Sequence, residues 1–208
     1  MKLALYRLVG LSATAERRLD LYLSRRAYRK AHGREPDLEH PVLLSEKITA
    51  RKLFDRRAIF STLADKLLTR GFVAERIGNR FLPELYFVCD RFEEIDFDRL
   101  PDRFVIKANH GSHWVLFVED KKAFDKAAGG KLVRRWMRTN YYVNSREAFY
   151  RSIKRKILVE EFLEESSGAP VIDYKFFVYD GVAKYFSIST RRSVKGERAA
   201  AFFDRACR

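Results

Sequence analysis

The chain has 208 residues, with 42 Lys+Arg against 28 Asp+Glu and a formal net charge of +14, a length that fits one ordinary domain or two small ones. Hydrophobic residues make up 47% and aromatics 14%, enough to bury a core and too much for a disordered chain. No apolar run approaches the roughly 18 residues that a membrane span requires, and two cysteines, Cys89 and Cys207, cannot build a structural zinc site and need not form a disulfide.

The charge sits at the ends: residues 1–34 carry nine Lys/Arg and two Asp/Glu, residues 191–208 carry six and two, and the middle carries 27 and 24. A specific nucleic-acid reader spreads its cations over the folded surface that tracks phosphates, and a nearly neutral middle argues against one. Met1 to Leu11 is apolar, but Arg7 interrupts it and more basic residues follow, so the opening reads as mature cytoplasmic protein rather than a signal peptide. The first element is a basic helix, with Leu19, Tyr22, Leu23 and Ala27 at helical spacing and Arg18, Arg25 and Arg29 on another face. Such a helix suits a membrane surface or an acidic polymer, or is a solvated Arg-rich face.

Gly33, Pro36 and Pro41 separate it from a second helix, whose start Ser45 caps. A third helix runs from Phe60 to Ile77 and stops at Gly78-Asn79. Glu84 to Cys89 reads as a strand, and Phe92 to Leu100 as a charged connector. Phe104–Ala108 and Trp114–Val118 form a hairpin around the polar loop Asn109–His113. Lys121 to about Thr139 is helical, weakened by Gly129-Gly130, and a short helix lies near Ser145 to Ile153. Ile157–Leu163, Ile172–Tyr179 and Val182–Ile188 are strands. Helices first and mixed elements later indicate an α+β fold rather than a doubly wound parallel sheet.

Asp180-Gly181 is a two-residue hairpin signal. If it makes the turn, Tyr179 faces Val182 and Phe177 faces Lys184. Lys175 and Lys184 then become diagonal neighbours at roughly 7–8 Å. Two ammonium groups on one half-apolar face need an anion between them, either the carboxylate of Asp173 or a phosphate. Lys107 ends an apolar run just before a loop with Gly111 and Ser112, where a strand-held lysine and free backbone N–H groups make a workable phosphate cradle or simply a soluble strand end. Neither a Walker loop nor a GxGxxG motif is present. A Cys89–His110 nucleophile pair is a third idea, against which Cys89 reads as a small core residue.

The strings TARKLFDRR, LADKLLTRGFVAERIG, FEEIDFDRLPDRFVIKANHGS, LVEEFLE and DYKFFVYDGVAKYF, in this order from about Leu44 to Phe186, resemble the TupA-like (teichuronopeptide-biosynthesis) family of ATP-grasp proteins. The resemblance implies an ATP-grasp-like fold with a helical N-terminal region and α+β nucleotide-binding lobes. We expect a basic region at 1–40, a first lobe at 41–102, a nucleotide-binding lobe at 103–190 and a basic tail at 191–208. It implies an ATP-dependent carboxylate–amine ligase working through an acylphosphate in cell-surface polymer biosynthesis, with a glycosyltransferase-type polysaccharide protein as an alternative label for such relatives. Its partners would be a nucleotide and a carboxylate or amine substrate.

By the same resemblance Lys66 and Lys107 contact phosphates, and His110, Gly111 and Ser112 belong to the flap over them, where His113 replaces an expected glycine. Glu160, Glu161 and Leu163 belong to the hinge that pairs with adenine, and Asp173 and Lys175 add further nucleotide contacts. Magnesium is expected beside ATP, but the carboxylates that hold it in the family lie beyond the DYKFF hairpin. Only Glu197 and Asp204 follow there, neither in a strand-like context. The expectation is a truncated chain that lacks the metal-binding part, binds ATP weakly and turns over little. The competing reading is a non-catalytic, basic polyanion binder.

Overall fold

The structure, a computed structural model, describes residues 13–165, 171–189 and 200–208. The apolar opening Met1–Leu11 and the basic residues Arg191, Arg192, Lys195 and Arg198 lie outside these. Four helices come first: α1 (Ala13–His32), α2 (Leu44–Phe54), α3 (Ile59–Ala64) and α4 (Lys66–Ile77). Then follow β1 (Leu85–Cys89), β2 (Phe104–Ala108), β3 (Val115–Val118), α5 (Lys126–Arg138), α6 (Tyr141–Ser145), β4 (Ile157–Glu161), β5 (Asp173–Tyr179), β6 (Val182–Ser189) and β7 (Ala200–Asp204). The fold is α+β with antiparallel sheets, as the sequence led us to expect.

Helix α1 differs from its expected orientation. Its buried residues are Asp20, Ser24 and Tyr28, and Tyr22, assigned to the apolar face, is exposed. The inward face is chosen by polar partners rather than by apolar count. The Tyr142 hydroxyl donates to Asp20 at 2.7 and 2.9 Å, Arg146 lies 3.4 Å from the same carboxylate, and Tyr28 Oη meets Ser45 Oγ at 3.0 Å. That contact also means Ser45 does not cap α2. Glu46 does, by accepting the N–H groups of Val42 and Leu43 at 3.2 and 3.0 Å. These backbone bonds and the Arg34 guanidinium, 2.7 Å away, hold its carboxyl at about 2.

The helix expected from Phe60 to Ile77 is broken at Asp65, whose carboxylate accepts from the N–H groups of Leu67 and Leu68 and so starts α4 afresh. Likewise α5 starts at Lys126, because Asp125 accepts from Ala128 N at 2.9 Å. Gly129 and Gly130, which count against a helix on propensity, sit where it presses on aromatic rings. A Cβ on Gly129 would lie 2.4 Å from Phe124, and one on Gly130 would lie 2.9 Å from Phe92.

The first sheet has the order β1-β4-β2-β3, with β2–β3 the expected hairpin, and its β1 and β4 lie on opposite sides of residue 102 in sequence. Alternation puts Phe104, Ile106, Ile157 and Val159 on one face, fully buried against Val133 and Trp136 of α5 and against Phe92 and Ile95. Val105, Lys107, Leu158 and Glu160 share the opposite face.

The second sheet has the order β5-β6-β7. Tyr179 faces Val182 across the Asp180-Gly181 turn as expected, with Asp180 at φ 49°. The register then slips between Phe177 and Val178, so that Phe177 faces Tyr185 and Lys175 faces Ser187. Lys184 is the extra residue of a β-bulge, and the expected Lys175–Lys184 diagonal does not form. Asp173 is the anion beside Lys175, at 3.5 Å. Asp204 is also corrected: it ends strand β7, whose Ala201 and Phe203 pair with Ile188 and Phe186. Five residues with two leading alanines carry too weak a β signal to read alone.

Candidate functional site

Lys107 projects from β2 on the sheet face away from α5, beside Glu160 of β4. Its Nζ lies 2.5 Å from Glu160 Oε2, and Arg70 Nη1 of α4 approaches Oε1 at 3.4 Å. Arg70 is fixed in turn by donating to the Pro83 carbonyl at 2.6 Å. Glu160 is thus a buried carboxylate with a cation on each oxygen, the arrangement that makes burial of its charge tolerable.

Lys66 opens α4 and reaches the same region from the other side. Its backbone N–H donates to the Asn109 carbonyl at 3.2 Å, and its ammonium donates to the carbonyls of Ala108, at 3.2 Å, and Gly111. Burial first, and the neighbouring Lys107 charge second, bring that ammonium down to about 8 from its ordinary 10.5. A lysine lowered in this way still carries its proton at neutral pH, but gains most from an anion that offsets both causes.

The loop after β2 is built on Asn109. Its side chain donates to Asp65 Oδ1 and to the Lys154 carbonyl, each at 2.9 Å, and accepts from Lys156 N at 2.7 Å. His110 is buried, with Nε2 3.2 Å from the Trp136 carbonyl and Nδ1 3.2 Å from Asn109 Oδ1. Desolvation lowers its pKa, and the ring anchors the loop to the end of α5. Gly111 lies under Trp114, where a Cβ would come within 2.4 Å of the indole. Ser112 is half-buried, and its hydroxyl meets His113 Nδ1 at 3.0 Å. His113 is exposed at φ 63°, in the left-handed region that glycine enters freely and histidine more readily than most residues. The backbone therefore shows a glycine-like conformation at the position where the resemblance leads one to expect glycine.

At the end of β4, Glu161 accepts from Glu84 N at 3.0 Å and its own N–H donates to Glu84 O at 2.9 Å. Phe162 rests against Phe117, with ring centroids 6.0 Å apart, and under the Arg103 guanidinium. Leu163 beyond it is exposed. The structure thus brings Lys66, Lys107, Gly111 and Glu160 together around one loop, with Glu161 and Leu163 along the adjoining strand end. Asp173 and Lys175 lie on the second sheet and pair with each other. Cys89 packs in the core, with burial raising its thiol to about 11, a form unsuited to attack at neutral pH.

Sequence reasoning missed Asp65 and Arg70, and named Asn109 only as the start of the loop. Asp65 had a signal, an acidic side chain just ahead of an apolar-periodic run. Arg70 had none, because its partner is ninety positions away.

Compared with known proteins, the chain matches the family model described as TupA-like ATPgrasp over residues 46–205. No curated protein and no solved structure matches it significantly.

Proposed function

The chain belongs to the TupA-like ATP-grasp family, and from that premise we propose that it binds ATP between Lys66, Lys107 and the Asn109–His113 loop and serves carboxylate–amine ligation on a cell-surface polymer or its precursors. The family carries ATP-dependent ligase-like chemistry; the polymer is our reading. One observation above all supports the site. Lys66 and Lys107, separated in sequence and delivered by a helix start and a strand, meet at one loop: the Lys66 ammonium donates to the carbonyls of Ala108 and Gly111, and Lys107 is the strand residue just before Ala108.

In the reaction, an oxygen of the substrate carboxylate attacks the γ-phosphorus while the bond to ADP breaks. The amine nitrogen then attacks the acyl carbon, phosphate departs with its electron pair, and the amine releases a proton. The two ammonium groups stabilise the charge on the phosphate oxygens. To reach a phosphate, Lys66 exchanges its bonds to the Ala108 and Gly111 carbonyls, so binding also resets the loop. Glu160 keeps Lys107 aligned, and the main chain from Glu161 to Leu163 offers donors and acceptors for the base. Asp173 and Lys175 are proposed as further nucleotide contacts.

Magnesium, when bound in this family, neutralises phosphate charge through hard oxygen ligands. Among the described residues no three Asp, Glu, His or Cys side chains stand together as its seat, and Glu160 is already committed to two cations.

Thermal-shift titration with ATP tests the reading. We expect stabilisation at millimolar ATP, reduced ten- to hundred-fold in apparent affinity by Lys107→Ala and unchanged by Arg25→Ala on α1. No shift in folded protein, or equal small losses from both substitutions with steep salt dependence, overturns it.

A further inference from the structure

Helix α1 carries six Arg/Lys against two carboxylates, Glu16 and Asp20. Both carboxylates are drawn inward: Asp20 is buried on the Tyr142 hydroxyl and Arg146, and Glu16 pairs with Arg151 at 2.6 Å. The outward face is left with Arg18, Arg26 and Arg29 around the exposed ring of Tyr22, while Arg25 at its margin is half-buried. Among the described residues Arg18 and Arg26 have no acidic partner, and Arg29 has only Glu35.

The last turns of this helix abut the start of α2 through the Tyr28–Ser45 contact. There the chain shows an apolar tip to solvent: Val42 is 77% exposed, Leu43 50%, Leu44 48% and Ile48 57%, with the exposed Lys47 among them. Glu46, which interrupts that sequence, is folded under as the cap. Cations without counter-charge on a helix whose last turns meet a segment of uncovered aliphatic side chains match a surface with anionic headgroups above an acyl layer.

We propose that this face, the α1 cation stripe together with the Val42–Ile48 tip, docks the protein on an anionic lipid bilayer. A soluble acidic polymer offers charge alone and leaves the four aliphatic side chains in water, so the lipid surface fits better. The docking involves none of the proposed nucleotide contacts and proceeds without ATP.

Co-sedimentation of the full chain with phosphatidylcholine vesicles containing 30 mol% phosphatidylglycerol tests this, with pure phosphatidylcholine vesicles and soluble polyglutamate as the other arms. Binding is expected to the anionic vesicles only. The triple variant Arg18→Gln, Arg26→Gln, Arg29→Gln should lose roughly a hundred-fold in partitioning, since each juxtamembrane cation contributes about five-fold. Val42→Ser with Leu44→Ser leaves every charge in place and should still lower partitioning severalfold, most visibly at high salt. Circular dichroism establishes that the variants are folded, and the serine pair, being exposed, keeps the test available if the triple variant is not. Equal binding to polyglutamate, no effect of the serine substitutions, or no preference for anionic vesicles overturns the proposal.

Discussion

The two sheets of this protein are made of similar residues and live in different surroundings. In the first, FVIKA and ILVEE form the two inner strands, and Phe104, Ile106, Ile157 and Val159 are sealed under α5. In the second, DYKFFVY pairs with VAKYFSIS along a ladder broken only by the bulge at Lys184, yet Phe176 remains 63% exposed and Phe202 of β7 68%. Rings do meet there, with Phe186 stacked on Phe203 at 5.1 Å and Phe176 at 5.8 Å from Phe186. Cross-strand pairing and aromatic contact therefore do not amount to burial. What separates the sheets, among the described residues, is a covering helix, and in α5 glycines stand where it presses on Phe124 and Phe92.

The largest expected difference follows directly. Phe104→Ala should cost about 3–5 kcal/mol of stability in urea unfolding, whereas Phe176→Ala should cost under about 1 kcal/mol, because its ring gives up little burial. Similar losses at both positions would show that the second sheet is covered in solution.

A smaller contrast concerns polar groups. Asn109→Ala removes three hydrogen bonds made by a fully buried side chain, to Asp65, the Lys154 carbonyl and the Lys156 N–H, and should cost about 2–3 kcal/mol. Ser189→Ala, which removes only a 3.4 Å contact to Asp173, should shift the unfolding midpoint little. A comparable shift in both would equalise the two regions again.

The finest probe is pH. The Lys66 ammonium sits at about 8 in the folded protein against 10.5 ordinarily. Between those values the unfolded chain holds a proton that the folded chain has released, so this group's contribution to stability rises with pH across that window. ATP affinity moves the other way, falling as pH climbs through about 8, where an unshifted lysine would hold to about 10. Lys66→Arg, which stays charged, should flatten the fall in a binding titration from pH 7 to 9. An unchanged slope would remove Lys66 from the phosphate contacts.

Much of this architecture was legible in the sequence because periodicity reports local geometry. The β2–β3 hairpin, the Asp180-Gly181 turn and the strand around Leu158 announced themselves through alternation and turn residues. The errors share a physical cause. Lys184 became a bulge although nothing local distinguishes an extra residue from a paired one, and the slip moved every later partner by one. Helix α1 presents Asp20 inward because Tyr142 and Arg146 arrive from more than a hundred positions away. The candidate site was suggested where a strand end met a glycine-containing loop, at Lys107 and Gly111, and was silent where its geometry depends on tertiary partners, as at Arg70.

Asn109 has a consequence for how the protein folds and opens. Its side chain links residues 44 and 47 positions away on either side in sequence, so these bonds form only after the start of α4, the end of β2 and the approach to β4 have come together. They belong to a late event, and substitutions there should speed unfolding more than they slow folding. The same geometry makes the three segments one cooperative unit. Hydrogen exchange at the Lys156 amide, which donates to Asn109, should then proceed only by global unfolding, while the exposed edge of β5 exchanges by local opening.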